Sequence, residues 1–381
     1  MKQLLASRWS RWILGLALGV LFVWLGTREW PMDRLFHQQV SLQGSLLVVG
    51  DAAPHLTGPM SLDEVLSGAS LGRPDPEDGW RFDLWALLSY GFILVVIHFL
   101  RVWRWEPLLQ PFARVDFWAL NRVGAVGFMT VFLFPLRIGE LVRPYLLVRE
   151  ARVGFSEVLG TIVVERVMDG LSVSLLLFAV LFFLPESSLE SYGRIRAGAW
   201  ISLAVFLCAI AVLLAAWIAR ERTLEFIRGV GGVVSKGLAG KVAGLVDAFI
   251  TGCGALGNFG DLFRFTLLTC VYWAVNGYGI WIFARAFGLD VPLLAGYAMM
   301  SCVIVGMMIP NSPGNVGSFW YFLLLPLEIY GVPSTSLPAI AFALGLWAAQ
   351  TLQMSIFGCW FLVGRRRVKM GAVLGAARDG T

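Results

Sequence analysis

Phe134-Pro135-Leu136-Arg137-Ile138-Gly139-Glu140 breaks an otherwise apolar region that runs over 117–150. Proline removes a helix hydrogen bond and glycine permits a turn, so no single helix is expected to pass through this point. A second apolar region, 292–330, is broken at Pro310-Asn311-Ser312-Pro313-Gly314-Asn315-Val316-Gly317. Backbone groups freed at such breaks cannot face hydrocarbon; they are buried in protein or line a wet cavity. Both regions are therefore expected to be re-entrant hairpins that dip into a bilayer and return to the side they entered from.

Composition points to the same solvent. Of 381 residues, 58% are hydrophobic and 14% charged, against about 45–50% apolar and about 25% charged in an ordinary soluble domain. Apolar runs at 82–103, 156–184, 197–219, 262–286 and 334–363 are each long enough to cross hydrocarbon about 30 Å thick at about 1.5 Å per residue. Another run, 12–26, follows Lys2, Arg8 and Arg11 and has no clear small-residue cleavage site before Glu29, so it reads as an uncleaved anchor span. The 16 Trp suit a chain with many membrane–water boundaries. The expected fold class is an all-α polytopic membrane helix bundle of about six spans plus two re-entrant hairpins.

Charge sets the expected topology. With the N-terminus inside and both broken regions re-entrant, segments 1–12, 101–116, 137–152, 220–261 and 364–381 lie inside and carry 20 Lys and Arg, while the outside segments 27–81 and 185–196 carry 6. That agrees with the positive-inside rule, and making 117–134 a full crossing moves nine of those positive residues outside. The expected organisation is an anchor span (1–26), an outer-face polar insertion (27–81), a first repeat (82–184) with hairpin 117–150, a span and cytoplasmic amphipathic helix (185–261), a second repeat (262–363) with hairpin 292–330, and a basic tail (364–381). The repeats start on opposite sides, so they are inverted, and paired Pro/Gly-interrupted segments in two inverted halves point to a transporter's substrate site. Within the insertion, Val40 to Gly50 alternates enough for a short strand or hairpin. Leu224, Ile227, Val230, Val234, Leu238, Val242, Leu245 and Phe249 recur at helical spacing and predict a surface-lying amphipathic helix over 221–251, weakened by its glycines.

The candidate site comes from charge inside apolar sequence. Arg137, Glu140 and Arg143 follow the first break at spacings of three; Glu165, Arg166 and Asp169 lie within one span. A charge at mid-membrane costs about 2.5–3.5 kcal/mol on insertion scales, so these residues must be paired or wet. Two readings stand side by side. Arg137 or Arg143 neutralises Glu165 or Asp169 as scaffolding, or the group lines a hydrated groove in which arginine meets a lipid phosphate. At the second break, Asn311, Ser312, Gly314 and Gly317 leave backbone groups free, and a helix starting near Ser318 would offer an anion seat. Arg101, Arg104 and Trp105 close the span 82–103 and read as an interfacial anchor. The five cysteines include no CxxC pair and the three histidines form no cluster, so neither a metal nor a cofactor is expected and no catalytic residue is assigned. The formal charge of +5 reads as topology and attraction to anionic lipid, with no nucleic-acid partner expected.

Arg101-Val-Trp-Arg-Trp105, Phe134-Pro-Leu-Arg-Ile-Gly-Glu-Leu-Val-Arg-Pro-Tyr145, Val164-Glu-Arg-Val-Met-Asp-Gly170 and Asn311-Ser-Pro-Gly-Asn-Val-Gly-Ser318 together resemble the lysylphosphatidylglycerol synthase transmembrane-region family, over roughly 82–363 plus the first span. That family includes the flippase half of the multiple peptide resistance factor and many stand-alone proteins. The resemblance implies a flippase-like bundle with a lipid cavity between the halves, and it makes Arg137, Glu140, Arg143, Glu165, Arg166 and Asp169 the family's polar set. Two departures stand out. Trp320 occupies a position where many relatives carry Glu, and the 27–81 insertion is longer than usual. Many relatives also fuse this bundle to a soluble aminoacyl transferase, for which the 18 residues after the last span leave no room.

The expected function is a lipid translocator acting on an anionic or polyprenyl-type lipid in a bacterial cytoplasmic-type inner membrane, with both termini cytoplasmic. A membrane-embedded, lipid-linked glycosyltransferase is the first alternative, with Asp63-Glu64 and Asp75-Pro-Glu-Asp78 on the outer side. A scaffold holding a partner enzyme is the second. No P-loop is present, so a translocator would run on a gradient or on lipid mass action.

Overall fold

The computed structural model describes residues 40–43, 46–49, 80–134, 139–183, 190–232, 236–254, 258–308 and 313–363. The anchor span 12–26 and the tail 364–381 lie outside the described residues.

Three short strands come first. β1 (Val40–Gln43) and β2 (Leu46–Val49) pair antiparallel, Val40 opposite Val49, as the alternation at Val40 to Gly50 predicts. β3 (Trp80–Asp83), not anticipated from sequence, adds antiparallel to β2 and runs straight into the first helix. Among the described residues twelve α-helices follow: α1 (Leu84–Trp103), α2 (Glu106–Leu109), α3 (Phe117–Leu133), α4 (Val142–Ala151), α5 (Phe155–Phe183), α6 (Glu190–Ile218), α7 (Arg220–Gly232), α8 (Lys236–Gly252), α9 (Phe259–Ala286), α10 (Leu293–Gly306), α11 (Ser318–Leu324) and α12 (Leu337–Val363).

Side-chain caps begin several of them. Asp83 accepts from the Trp85 amide at 2.7 Å to open α1, and Asp116 accepts from Trp118 and Ala119 at 3.1 and 3.2 Å to open α3. Each satisfies an amide that the first helical turn leaves without a partner.

Five helical stretches are long and apolar enough to cross a membrane: Leu84–Leu109, Phe155–Phe183, Glu190–Ile218, Phe259–Ala286 and Leu337–Leu362. They match five of the expected spans, and the chain is a multi-pass membrane protein. Large side chains such as Phe92, Phe182, Ile201, Phe259 and Trp360 lie exposed on these helices. In water that would be unfavourable, but against lipid it has no hydrophobic cost. α3 and α10, at 17 and 14 residues, are shorter.

Helix contacts come in matched pairs. α1 packs on α9; α3 packs on α12 as α10 packs on α5; α3 meets α4 as α10 meets α11; α4 meets α5 as α11 meets α12. Exchanging α1 with α9, α3 with α10, α4 with α11 and α5 with α12 returns the same set.

One expectation is corrected. The single amphipathic helix over 221–251 is two helices, α7 and α8, packed on each other, with α8 also packed on α5. The first ends at Gly232, where consecutive glycines make helix continuation costly. The α8–α5 crossing is close: a Cβ on Gly252 would collide with the Glu157 backbone, and one on Gly160 with that of Phe249.

Candidate functional site

The charged residues of α1, α4 and α5 meet around one carboxylate pair. Glu165 and Asp169, one turn apart on α5, both bind Arg104: its Nη2 donates to Glu165 Oε1 at 3.0 Å and to Asp169 Oδ2 at 2.8 Å, and its Nη1 donates to Asp169 Oδ1. Arg143 Nη1 donates to Glu165 Oε2 at 2.9 Å. Arg166 Nη2 reaches Glu165 Oε1 at 2.5 Å and Asp169 Oδ2 at 3.3 Å. Glu165 and Asp169 are 0% and 3% exposed and Arg104 and Arg143 are 1% and 2%, whereas the Arg166 side chain keeps 32%.

Aromatic faces support the guanidinium groups. Arg143 lies 4.0 Å from the Trp105 ring centroid and 4.9 Å from that of Phe128; Arg104 lies 4.5 Å from that of Tyr272. Trp105 is itself fixed by donating Nε1–H to Thr161 Oγ1 at 3.1 Å. Tyr272 in turn accepts from Arg101 Nε and Nη2 at 2.9 and 2.7 Å. Such cation–π contacts stabilise a desolvated cation by up to about 2 kcal/mol. They do not satisfy its hydrogen-bond donors, and Arg104 Nε, Arg143 Nε and Nη2 and Arg166 Nε are buried without a partner.

Two glycines make this geometry possible. A Cβ on Gly127 of α3 would collide with the Arg143 side chain, so its absence lets α4 lay that arginine across α3. A Cβ on Gly139 would collide with the Thr130 and Val131 backbone, so glycine lets the chain turn back closely on α3 after the break.

Beside the network lies a cavity of about 350 Å³. Arg101, Arg104, Glu140, Arg143, Arg166 and Asp169 form its charged wall. Tyr272, Trp273, Ile304, Met307, Met308, Asn315 and Met354, all from the second half of the chain, also line it. Network and wall together hold four arginines and three carboxylates among the described residues, a surplus of one positive charge.

The predicted residues are placed as follows. Glu140, Arg143, Arg166 and Asp169 converge on the cavity, with Glu165 behind them. Arg137, Asn311 and Ser312 lie outside the described residues. Gly314 and Gly317 adopt positive φ, 69° and 83°, and shape the turn without lining the cavity. α11 begins at Ser318 and has seven residues, and the Ser318 hydroxyl donates to Asn315 O at 3.1 Å. The placing of Arg104 is corrected. It is no interfacial anchor, because the chain continues past Trp105 into α2, whose Leu108 and Leu109 are buried, so the arginine is enclosed by protein. Arg101 is half-buried and reaches Tyr272. Tyr272, Asn315 and the aromatic supports Trp105 and Phe128 were not singled out as site residues from sequence. Asn315, at φ 53°, sits within the Pro/Gly break and could have been; Tyr272 has no signal beyond being a hydroxyl in an apolar run.

These features define a polytopic helical membrane protein with a charged cavity enclosed by two halves of matching packing. The chain belongs to the family described as the lysylphosphatidylglycerol synthase TM region, whose family model matches residues 77–358. It is also similar to a protein named glycosyltransferase AglD from Haloferax volcanii, 24% identical over 341 positions that cover 81% of this chain and 51% of that protein. The chain thus spans about half the length of that curated relative. No solved structure matches it.

Proposed function

We propose that this protein is a flippase-like carrier that translocates or presents an anionic or polyprenyl-type lipid between leaflets, with the lipid phosphate held on the arginine wall. One observation carries the reading: four arginines line a cavity that, with its buried network, holds one positive charge in surplus among the described residues. A bound phosphodiester would balance that charge, and guanidinium geometry suits phosphate oxygens. The cavity volume lies at the low end of small-molecule sites, which suits a headgroup with the chains left in hydrocarbon.

In this reading, α3–α4 and α10–α11 are re-entrant hairpins entering from opposite faces, the halves are inverted repeats, and both termini lie in the cytoplasm of a bacterial inner membrane. The matched helix contacts support the repeat, and 20 inside against 6 outside positive residues support the orientation. The test is lipid exchange between leaflets in proteoliposomes holding phosphatidylcholine and an anionic lipid. We expect acceleration by the wild type and at least a tenfold loss in Arg143→Gln, with folding checked by thermal unfolding in detergent. Exchange at the protein-free rate, or full activity in that variant, would count against transport.

A second reading rests on the name of the archaeal relative: a lipid-linked glycosyltransferase or other lipid-modifying enzyme using the same cavity for a polyprenyl phosphate. The same vesicles discriminate, because modification changes the lipid mass and translocation does not. A chain that binds lipid without exchange or modification would fit a scaffold for a partner enzyme.

A further inference from the structure

The four arginines of the cavity wall are not in the same state. Arg104, Arg143 and Arg166 each bond a buried carboxylate of α5. The Nε of each, and Nη2 of Arg143, are closed off even from water. Arg101, in the last turn of α1, instead spends its bonds on a neutral group. Its Nε and Nη2 donate to the Tyr272 hydroxyl at 2.9 and 2.7 Å, and no carboxylate pairs with it among the described residues. The Phe128 ring holds the guanidinium plane, 4.7 Å from the centroid.

A guanidinium carries five N–H groups. Tyr272 takes two of those of Arg101. The other three, on Nη1 and Nη2, form the end of the fork that suits two phosphate oxygens at once. No Arg101 nitrogen is among the buried atoms without a partner, so Nη1, which bonds nothing among the described residues, is open. Tyr272 accepts both bonds and keeps its own hydroxyl proton to donate. Both residues line the cavity. An anion arriving at Arg104 or Arg143 competes with a carboxylate already in place, and breaking a buried pair of that kind is strongly unfavourable. At Arg101 there is no such competitor.

We infer that Arg101, presented by Tyr272, is the residue that takes hold of the lipid phosphate, with Arg104, Arg143 and Arg166 as a fixed frame behind it. The inference rests on the reading that the cavity receives an anionic lipid headgroup, and goes further by naming the contact. Nη1 and Nη2 of Arg101 donate to two phosphate oxygens, and the Tyr272 hydroxyl donates to one of them. Arg143 adds its attraction without leaving Glu165. Arg101 lies on α1 and Tyr272 on α9, a packed pair that the matched helix contacts map onto itself, so a phosphate held there touches both halves of the bundle.

The test uses the full chain in detergent micelles, offered phosphatidylethanol and phosphatidylcholine together, with bound lipid read by native mass spectrometry. Both probes carry a phosphodiester, and only the first is anionic. The readout is the ratio of the two lipids retained, which general damage to the fold lowers for both and leaves unmoved. We expect the wild type to favour phosphatidylethanol and Arg101→Gln to cut the ratio by about tenfold or more, as for a charge-assisted hydrogen bond, with the thermal transition near that of wild type. Arg101→Lys, which keeps the charge and loses the fork, should recover part of the ratio. Tyr272→Phe should lower it by about threefold, the worth of one neutral bond. Arg143→Gln should lower the thermal transition as well as the ratio. A ratio unmoved in Arg101→Gln but lost in Arg143→Gln assigns the contact to the frame and overturns the inference while leaving the cavity reading intact. So does an Arg101→Gln chain that loses both lipids equally together with its thermal transition, since the role of Arg101 is then structural. A wild type without preference for phosphatidylethanol overturns the cavity reading and the inference together, as does displacement of that lipid by an equal concentration of inorganic phosphate, which would make the ligand a free phosphate.

Discussion

The two broken hairpins occupy matching places in the packing, yet they bring opposite chemistry to the cavity between them. The first delivers Glu140 and Arg143 and packs on the carboxylates of α5; the second delivers Met307, Met308 and Asn315, with no charge among them. Matched packing therefore does not imply a matched site. The packing needs only small residues at close approaches and apolar surface elsewhere, a demand both halves meet. The proposed phosphate site needs cations from one hairpin only. The uncharged side is free to supply methionines, whose unbranched, polarisable chains adapt to irregular surfaces.

The largest expected effect breaks the charged side. Glu165 is the acceptor common to Arg104, Arg143 and Arg166. In Glu165→Ala those arginines lose a buried partner, and breaking buried pairs typically costs about 3–5 kcal/mol. We expect loss of a cooperative thermal transition in detergent. Asn315→Ala, on the neutral side, should cost about 1 kcal/mol, because alanine fits the left-handed backbone at φ 53° less well than asparagine does. Equal losses at the two positions would mean that the charge network is no more important to the fold than the neutral turn facing it.

An intermediate pair sharpens the comparison. Both hairpins bring their arms together over a glycine: a Cβ on Gly127 would meet Arg143, and a Cβ on Gly306 would meet the Phe322 ring. Alanine at either position should destabilise by about 1–3 kcal/mol, the usual range for overpacking. The functional outcomes should differ if Arg143 holds the lipid phosphate as proposed. Gly127→Ala displaces that arginine and should slow lipid exchange severalfold per folded molecule; Gly306→Ala displaces an apolar ring and should leave that rate nearly unchanged. Exchange rates normalised to folded protein separate the two.

The same contrast governs how much of the molecule is legible in its sequence. Spans declare themselves as apolar runs, and the ends of α3 and α10 as proline and glycine inside such runs. The α5 charges are conspicuous because three ionisable groups in five residues are intolerable in hydrocarbon unless paired. Arg104 was misplaced for a physical reason: an arginine that ends an apolar run and precedes a tryptophan looks the same in sequence at a membrane boundary and inside a protein. What separates the cases is α2, a four-residue helix that packs back on α5 and α9 and is too short to show a periodic pattern. Tyr272 was hidden differently, since a tyrosine in an apolar span is compatible with facing lipid, packing or a site. The α7–α8 division was half legible, as the glycines that end α7 were visible and the packing of α8 on α5 was not.

The smallest effect lies at an exposed ion pair and shows why equal chemistry has unequal worth. Arg220 Nε donates to Asp247 Oδ1 at 2.6 Å, tying the start of α7 to α8 with side chains 49% and 38% exposed. The bond from Arg220 pulls the Asp247 carboxyl below its ordinary value of 3.8. A carboxyl with a depressed folded-state value contributes stability that is present above the unfolded value and fades as pH falls through the folded one. Exposed pairs of this kind contribute about 0.2–1 kcal/mol, because water screens the charges and ordering two side chains costs entropy. Asp247→Asn should therefore unfold at a slightly lower temperature than wild type near pH 7, and the gap should close as pH drops below 3.8. A gap that persists in acid would assign the loss to packing of α7 on α8 instead of charge. Within the bundle, the same arginine–carboxylate bond between Arg143 and Glu165 has no water to replace it, which is why its removal belongs at the other end of the scale.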